Sequence, residues 1–410
     1  MAARVEDDRE LVYRGLQRIV VQGEDREAVL QDILSRPENQ ERASLPFMLY
    51  GCLRHWYYIE PRLTEFVRGK PLPVELQILL VFYLFQAFVM DSVPVYAARS
   101  EMMNRIPRKF KGLKGVLDGV FQNFLRKYPV LPEMPILPKW WESSLTKQAG
   151  SEFVLEFSSR FAQTPPVYVF SAMGSRETLH FEKYTQLDKS ERNQKIQNGD
   201  VICDPASYLA AWLLKPTSDE VILDLCAAPG NKSMALLQIC PTIKLTSVEI
   251  QLARAKILKD RLKDRATVVH ADALEMLDSV DEGSVDAILL DAPCSAWGTA
   301  LLHPEYLIHK QANQNESVLQ MKLLRNAFKA LRNGGRLIYS VCTFCEAETV
   351  KLGQALMTDF QGFEVNRDLV CPAPLKWISS GPGYLLLPSL EGSSVFWYMS
   401  LTKKCTGGDE

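Results

Sequence analysis

Through residues 1–130 apolar positions return every three or four residues, with polar ones between them. Leu11, Leu16, Ile19 and Val20 keep that spacing, Val29 and Ile33 continue it, and 45–53 form a dense apolar face. This is the period of amphipathic helices, and it predicts more of them near 61–67, 74–90, 95–105 and 117–127. Strand-like alternation is scarce, so this part reads as an all-α unit. Its longest apolar run, 74–90, carries Glu75, Gln77 and Gln86 and falls short of the ~20 residues that span a bilayer. A buried bundle helix is the simpler reading, and no membrane partner is expected. Pro129, Pro132, Pro135 and Pro138 then interrupt helical continuation. Residues 131–200 read as a proline-rich linker and a small α+β segment, with a short helix opened by Lys139-Trp-Trp and a strand at 166–170.

From Val201 the rhythm changes. Short apolar runs at 221–225, 245–249, 266–270, 285–290 and 337–340 read as strands, and helices fit at 207–214, 232–238, 252–262 and 317–331. Segments 363–365 and 396–401 suit a closing antiparallel pair. Such alternation predicts a doubly wound, mostly parallel α/β sheet over 201–404. The chain is thus expected to be multidomain, a helical bundle followed by a Rossmann-like domain.

Composition changes the picture in two places. With 47% hydrophobic and 23% charged residues and a net charge of −2, the chain is not globally basic, so any nucleic-acid surface must be local. One local cluster exists at Arg105, Arg108, Lys109, Lys111 and Lys114, renewed at Arg126 and Lys127. A solvated surface and a phosphate-contacting one both account for it. Nine cysteines, an odd number at irregular spacings without a signal-peptide pattern, predict free thiols in a reducing cytoplasm. Cys342 and Cys345 have C-x-x-C spacing only formally; His303 and His309 are poor zinc candidates, and no metal is expected.

Three acidic residues at successive strand ends carry the first chemical signal. Asp224-Leu-Cys-Ala-Ala-Pro-Gly230 breaks a strand into a tight, small-residue turn before a helix, letting backbone amides approach a ligand. It lacks the G-x-G-x-x-G dinucleotide fingerprint. One strand later Glu249 is placed to take ribose hydroxyls, and Asp272 to accept from an adenine amino group. Together they point to S-adenosyl-L-methionine. The second signal is a cysteine pair. Cys294 in Asp291-Ala-Pro-Cys294 and Cys342 in Tyr339-Ser-Val-Cys342-Thr343 each follow a strand, so both can reach one cleft although far apart in sequence. Cys52, Cys203, Cys226, Cys240 and Cys371 lie in apolar surroundings and read as packing residues.

These motifs, with Asp291-Ala-Pro-Cys-Ser-Ala-Trp-Gly298 and His303-Pro-Glu305, resemble the RNA cytosine-5 methyltransferases, specifically the bacterial small-subunit ribosomal RNA enzymes of the RsmB/Sun type. The likeness covers nearly the whole chain. Leu49-Tyr-Gly-Cys-Leu-Arg54 and Gly112 through Arg126 resemble a NusB-type RNA-binding domain. The resemblance implies that Cys342 adds to carbon 6 of cytosine, that Asp291 holds or protonates ring nitrogen 3, and that Cys294 helps release. It implies a cofactor set of Cys226, Ala227, Ala228, Pro229, Gly230, Asn231 and Lys232, with Glu249, Asp272 and Asp291, and ribosomal RNA as partner. The sequence departs from the family's pattern at Asn231, where a glycine is usual, and at Glu249, where an aspartate is usual. Asn tolerates positive φ better than most residues. Leu301 and Leu302 stand where arginines are expected, and Phe170 and Ala172 where Arg and Asn are. Since these losses fall on RNA-facing groups, the alternative is a catalytically weak or inactive RNA-binding or ribosome-assembly factor on the same scaffold.

Overall fold

The computed structural model describes residues 7–40, 42–171, 179–309, 314–390 and 392–405, so Ala172 lies outside the described residues. Contacts group the chain into two compact units. One comprises Met1–Thr146, Gly150–Gln163 and His303–His309; the other comprises Lys147–Ala149, Thr164–Leu302 and Lys310–Glu410.

The first unit is helical. Asp8–Gln22 starts where the Asp7 carboxylate accepts the Glu10 amide, and it stops at Gly23 in the left-handed region. Arg26–Leu34, Ser44–Arg54, Trp56–Leu63, Val74–Val89, Val95–Asn104 and Lys114–Lys127 follow. The helix expected at 61–67 lies earlier, with only a short 3-10 turn at Thr64–Phe66 beyond it. Val74–Val89 is the core helix: every side chain from Ile78 to Gln86 is fully buried. Its polar residues are satisfied. Glu75 pairs with Lys109 at 2.7 Å, Gln77 donates to the Leu72 carbonyl at 2.7 Å, and Gln86 accepts from Arg9 at 2.8 Å. Among the described residues no helix is long and apolar enough to cross a membrane.

The second unit holds two sheets. Strands β1 (Val167–Phe170), β2 (Phe181–Tyr184) and β3 (Val201–Ile202) form a small antiparallel one in the order β2-β1-β3. The large sheet is built from β4 (Val221–Leu225), β5 (Lys244–Glu249), β6 (Thr267–His270), β7 (Val285–Asp291), β8 (Leu331–Val341), β9 (Phe363–Val365), β10 (Lys376–Ser380), β11 (Gly383–Leu387) and β12 (Phe396–Lys403). Its order is β10-β11-β12-β8-β7-β4-β5-β6, with β9 antiparallel on β12 as the sequence suggested.

Two differences from the sequence reading have physical causes. β8 begins at Leu331, not Leu337, and the helix before it ends at Ala330; its ladder to β7 jumps from Leu331 to Arg336 across Gly334 and Gly335, which disguise the strand as a turn. The β10–β11 hairpin was not foreseen, because Lys-Trp-Ile-Ser-Ser is half polar and becomes a strand only beside β11.

The chain winds from β4 outward to β5 and β6, then returns to the other side of β4 as β7 and β8, all pairings parallel. That reversal opens a crevice beyond the carboxyl ends of β4 and β7, where open α/β sheets bind ligands. Ile222, Ala287, Ile288, Leu289 and Leu290, all fully buried, hold the two central strands rigid beneath it. Burial of each large aliphatic side chain contributes about 1.5–3 kcal/mol.

Candidate active site

The loop after β4 is shaped by its backbone. Cys226 at φ 62° and Gly230 at φ 101° occupy the left-handed region, and the Ala228–Pro229 peptide is cis. At that φ any side chain on Gly230 would be strained, and its Cβ would stand 2.8 Å from Leu258 Cδ1, so the turn favours glycine. The helix Asn231–Ile239 starts immediately after it, aiming first-turn amides toward the loop. Asn231 is therefore helical, and the positive φ falls on its neighbour Gly230 instead. Its side chain accepts from Arg261 at 2.8 Å, while Arg261 also donates to the Pro229 carbonyl at 2.8 Å and Arg254 donates to that of Ala228. Two arginines of the helix Leu252–Leu262 thus pin the loop.

Three carboxylates line this side. Asp224 is fully buried; one oxygen accepts the Ser233 hydroxyl and the other has no partner among the described residues. Burial pushes its carboxyl up to about 7. Glu249, 3% exposed, accepts the Gln251 amide at 2.8 Å, and its other oxygen lies 3.8 Å from Arg254. Asp272 caps the helix Ala273–Ser279 by accepting the Leu274 amide at 2.8 Å. A close-approach glycine, a helix N-terminus and a buried oxygen without a partner suit a ligand with amino, hydroxyl and carboxylate groups, so these residues fit S-adenosyl-L-methionine.

Across the crevice stand the cysteines. The Cys294 and Cys342 sulfurs are 3.4 Å apart, and both side chains are partly exposed. The hydrogen bond to Cys342, with burial added, drives the Cys294 thiol well above its ordinary pKa, and either sulfur can be the donor in that bond. Asp291, at the end of β7, accepts from Lys232 at 2.6 Å and from the Ser340 hydroxyl at 2.8 Å. Lys232 also donates to Ser207 at 3.0 Å. Burial opposes its charge, yet the Asp291 carboxylate outweighs this and raises the lysine pKa. The two cysteine loops interlock: the Gly298 amide donates to the Cys342 carbonyl at 2.9 Å, and the Ser295 and Thr343 hydroxyls share a bond of 2.7 Å. A Cβ on Gly298 would lie 1.9 Å from the Val395 carbonyl oxygen, so the interlock needs glycine there.

Residues 211–401 match the family model for 16S rRNA methyltransferase RsmB/F. The ribosomal RNA small subunit methyltransferase B of Shewanella oneidensis is 31% identical over 347 residues, which cover 75% of this chain and 79% of that protein. The chain belongs to the RsmB/F family of 16S rRNA methyltransferases. It is an S-adenosylmethionine-dependent RNA cytosine-5 methyltransferase. The protein of the same name from Proteus mirabilis is 26% identical over 417 residues, 92% of this chain and 98% of its own. The solved structure of PH0851 shares the fold over 98% of this chain and all of its own, with a TM-score of 0.72 at 18% identity.

Within this RsmB/F family member the structure brings Cys226 to Lys232, Asp291, Cys294 and Cys342 to the carboxyl ends of β4, β7 and β8, with Glu249 closing β5. Sequence reasoning missed two groups: Ser340 lies inside the Tyr339-Ser-Val-Cys342 motif, where strand alternation puts it on the Asp291 side, and Ser207 gives no signal. Lys232, expected in the cofactor set, is in addition the partner of Asp291. His303-Pro-Glu305 belongs to the helical unit, where Glu305, 3% exposed, lies 3.4 Å from Arg26 and 3.2 Å from His303. In the basic stretch, Arg105 is engaged by Asp7, Glu10 and Glu101, Lys109 by Glu75, and Lys127 by Glu65. Among the described residues no group of three His, Cys, Asp or Glu side chains gathers as a metal site.

Proposed function

We propose that the chain methylates a cytosine of small-subunit ribosomal RNA in the cytoplasm, with Cys342 as nucleophile, Asp291 at ring nitrogen 3 and Cys294 assisting release. The 226–232 loop, Glu249, Asp272 and Asp291 would hold the cofactor. The observation that carries the reading is the sulfur pair at 3.4 Å beside a lysine-held Asp291.

Carbon 5 of cytosine is a weak nucleophile until a group adds at carbon 6. The Cys342 thiolate forms a bond to carbon 6, and the displaced π electrons build up at carbon 5 and nitrogen 3. Asp291 meets that charge and relays a proton from Lys232 to nitrogen 3. Bound there, the cofactor would supply carbon 5 with an electrophilic methyl group, its sulfonium sulfur keeping the electron pair of the broken carbon–sulfur bond. Loss of the carbon 5 proton to water and return of the nitrogen 3 proton through Asp291 to Lys232 restore the ring and expel Cys342. The Cys294 S–H donates to the departing sulfur and stabilises it as thiolate. A base stacked in paired RNA must be swung out to reach this crevice.

The helical unit, NusB-like in sequence, would hold RNA phosphates. Lys109 and Lys127 already have carboxylate partners, but these exposed ion pairs are weak in water and yield to a phosphate backbone, whereas Arg105 is largely buried among three carboxylates. Bisulfite sequencing of small-subunit ribosomal RNA from cells with and without the gene should show one cytosine losing protection in the deletion. An unchanged pattern would remove the ribosomal assignment.

A further inference from the structure

Both ends of the Pro293–Cys294–Ser295 turn are tied to one carboxylate that the reaction itself does not use. Glu348, fully buried, accepts the Ser295 amide at 2.9 Å and the Gln320 side-chain amide at 3.0 Å through the same oxygen. Gln320, also fully buried, donates to the Pro293 carbonyl at 2.7 Å. Ser295, after Cys294, is therefore anchored to Glu348 directly, and Pro293, before it, through Gln320. The anchor is itself fixed, since its carbonyl accepts the Tyr339 hydroxyl at 2.9 Å and its amide bonds the Cys345 carbonyl at 3.0 Å.

The charges around the sulfur pair are lopsided. Cys294 faces the carboxylates of Glu348 and Asp291, both of which disfavour its thiolate, and the neutral Tyr339 hydroxyl lies near it. Lys232, held by Asp291 at 2.6 Å, interacts favourably with Cys342. Two sulfurs at 3.4 Å cannot both carry charge in a partly desolvated site. We infer that Glu348 is a positioning residue that decides which sulfur reacts: it clamps the Cys294 turn and sets negative charge beside it, leaving Cys342, on the lysine side, as the thiolate. This rests on Cys342 being the nucleophile of the proposed reaction.

The test reads thiol order directly, without RNA or methyl transfer. The folded full-length protein is alkylated with iodoacetamide across pH, and each cysteine is followed by mass spectrometry. In the wild type Cys342 should react first. In Glu348→Gln, which keeps length and removes charge, the Cys342-to-Cys294 rate ratio should fall roughly tenfold, about one pKa unit of lost bias. Glu348→Asp, which keeps the charge, should recover much of the ratio. Gln320→Met leaves Glu348 in place but frees the Pro293 side, so it should lower the ratio less and reads the clamp if Glu348→Gln does not fold. In each variant kcat should drop while S-adenosylmethionine affinity holds. An unchanged ratio in the folded variants would overturn the role of Glu348 alone, whereas methyl transfer surviving Cys342→Ala would overturn the reaction beneath it.

Discussion

The two halves of the crevice are built by different means. On the cofactor half, beyond β4, β5 and β6, backbone conformation does most of the shaping: left-handed residues at Cys226 and Gly230, a helix N-terminus and a capping Asp272. On the cysteine half, beyond β7 and β8, side chains do it: Lys232 and Ser340 on Asp291, Ser295 on Thr343, sulfur on sulfur. The difference explains which departures from the family pattern the chain carries. Asn231 in place of glycine and Glu249 in place of aspartate leave the backbone cradle intact. The cysteine half keeps Asp291, Cys294 and Cys342, each of which is a reacting or bonding group in the reaction we propose.

If that contrast is right, substitutions in the cysteine half cost far more than those in the cofactor half. The largest effect is expected from Cys342→Ala, which should cut methyl transfer by roughly 10³-fold or more and abolish the denaturant-stable RNA adduct. Cys294→Ala should instead accumulate that adduct on gels, and the reverse pattern would swap the two roles. Asp291→Asn should follow, with kcat down by about 10²–10³-fold as charge on the ring loses its partner. Substrate affinity should change little, so a loss confined to KM would contradict the assignment.

On the cofactor half, Glu249→Ala should weaken S-adenosylmethionine by ~1–3 kcal/mol in calorimetric titration, the worth of hydrogen bonds to a charged group. A complete loss of binding would mean that this half, too, depends on single side chains. Asp224 gives a pH signature. Burial raises its carboxyl from 3.8 to about 7 in the folded state, so between those values the folded chain holds a proton that the unfolded chain has released. Stability from this group is full below pH ~4 and is lost as pH rises through ~7. Asp224→Asn keeps an acceptor for Ser233 and removes the titration; relative to wild type, the variant should gain about 1–3 kcal/mol between pH 5 and pH 8 in urea unfolding of cofactor-free protein. An offset independent of pH would refute the shift. Least of all, Asn231→Gly should move cofactor affinity by no more than ~0.5 kcal/mol, since the strained position is Gly230.

Much was legible from the chain alone. The 3.6-residue period gave the helical bundle, and strand–helix alternation gave the parallel sheet, because both follow from which positions must face a core. The strand-end acids and the two cysteine motifs located the crevice, because a doubly wound sheet puts such positions on one rim. What spacing does not encode is partnership between side chains distant in sequence. Lys232 meets Asp291 59 residues away, Gln320 meets Glu348 across 28, and Cys294 meets Cys342 across 48. The β10–β11 hairpin and the neutralised cations at Arg105, Lys109 and Lys127 belong to the same class. A hydrophobic pattern is a property of one segment, whereas an ion pair, a thiol order or an edge strand exists only once two segments meet, and the packed structure alone decides that.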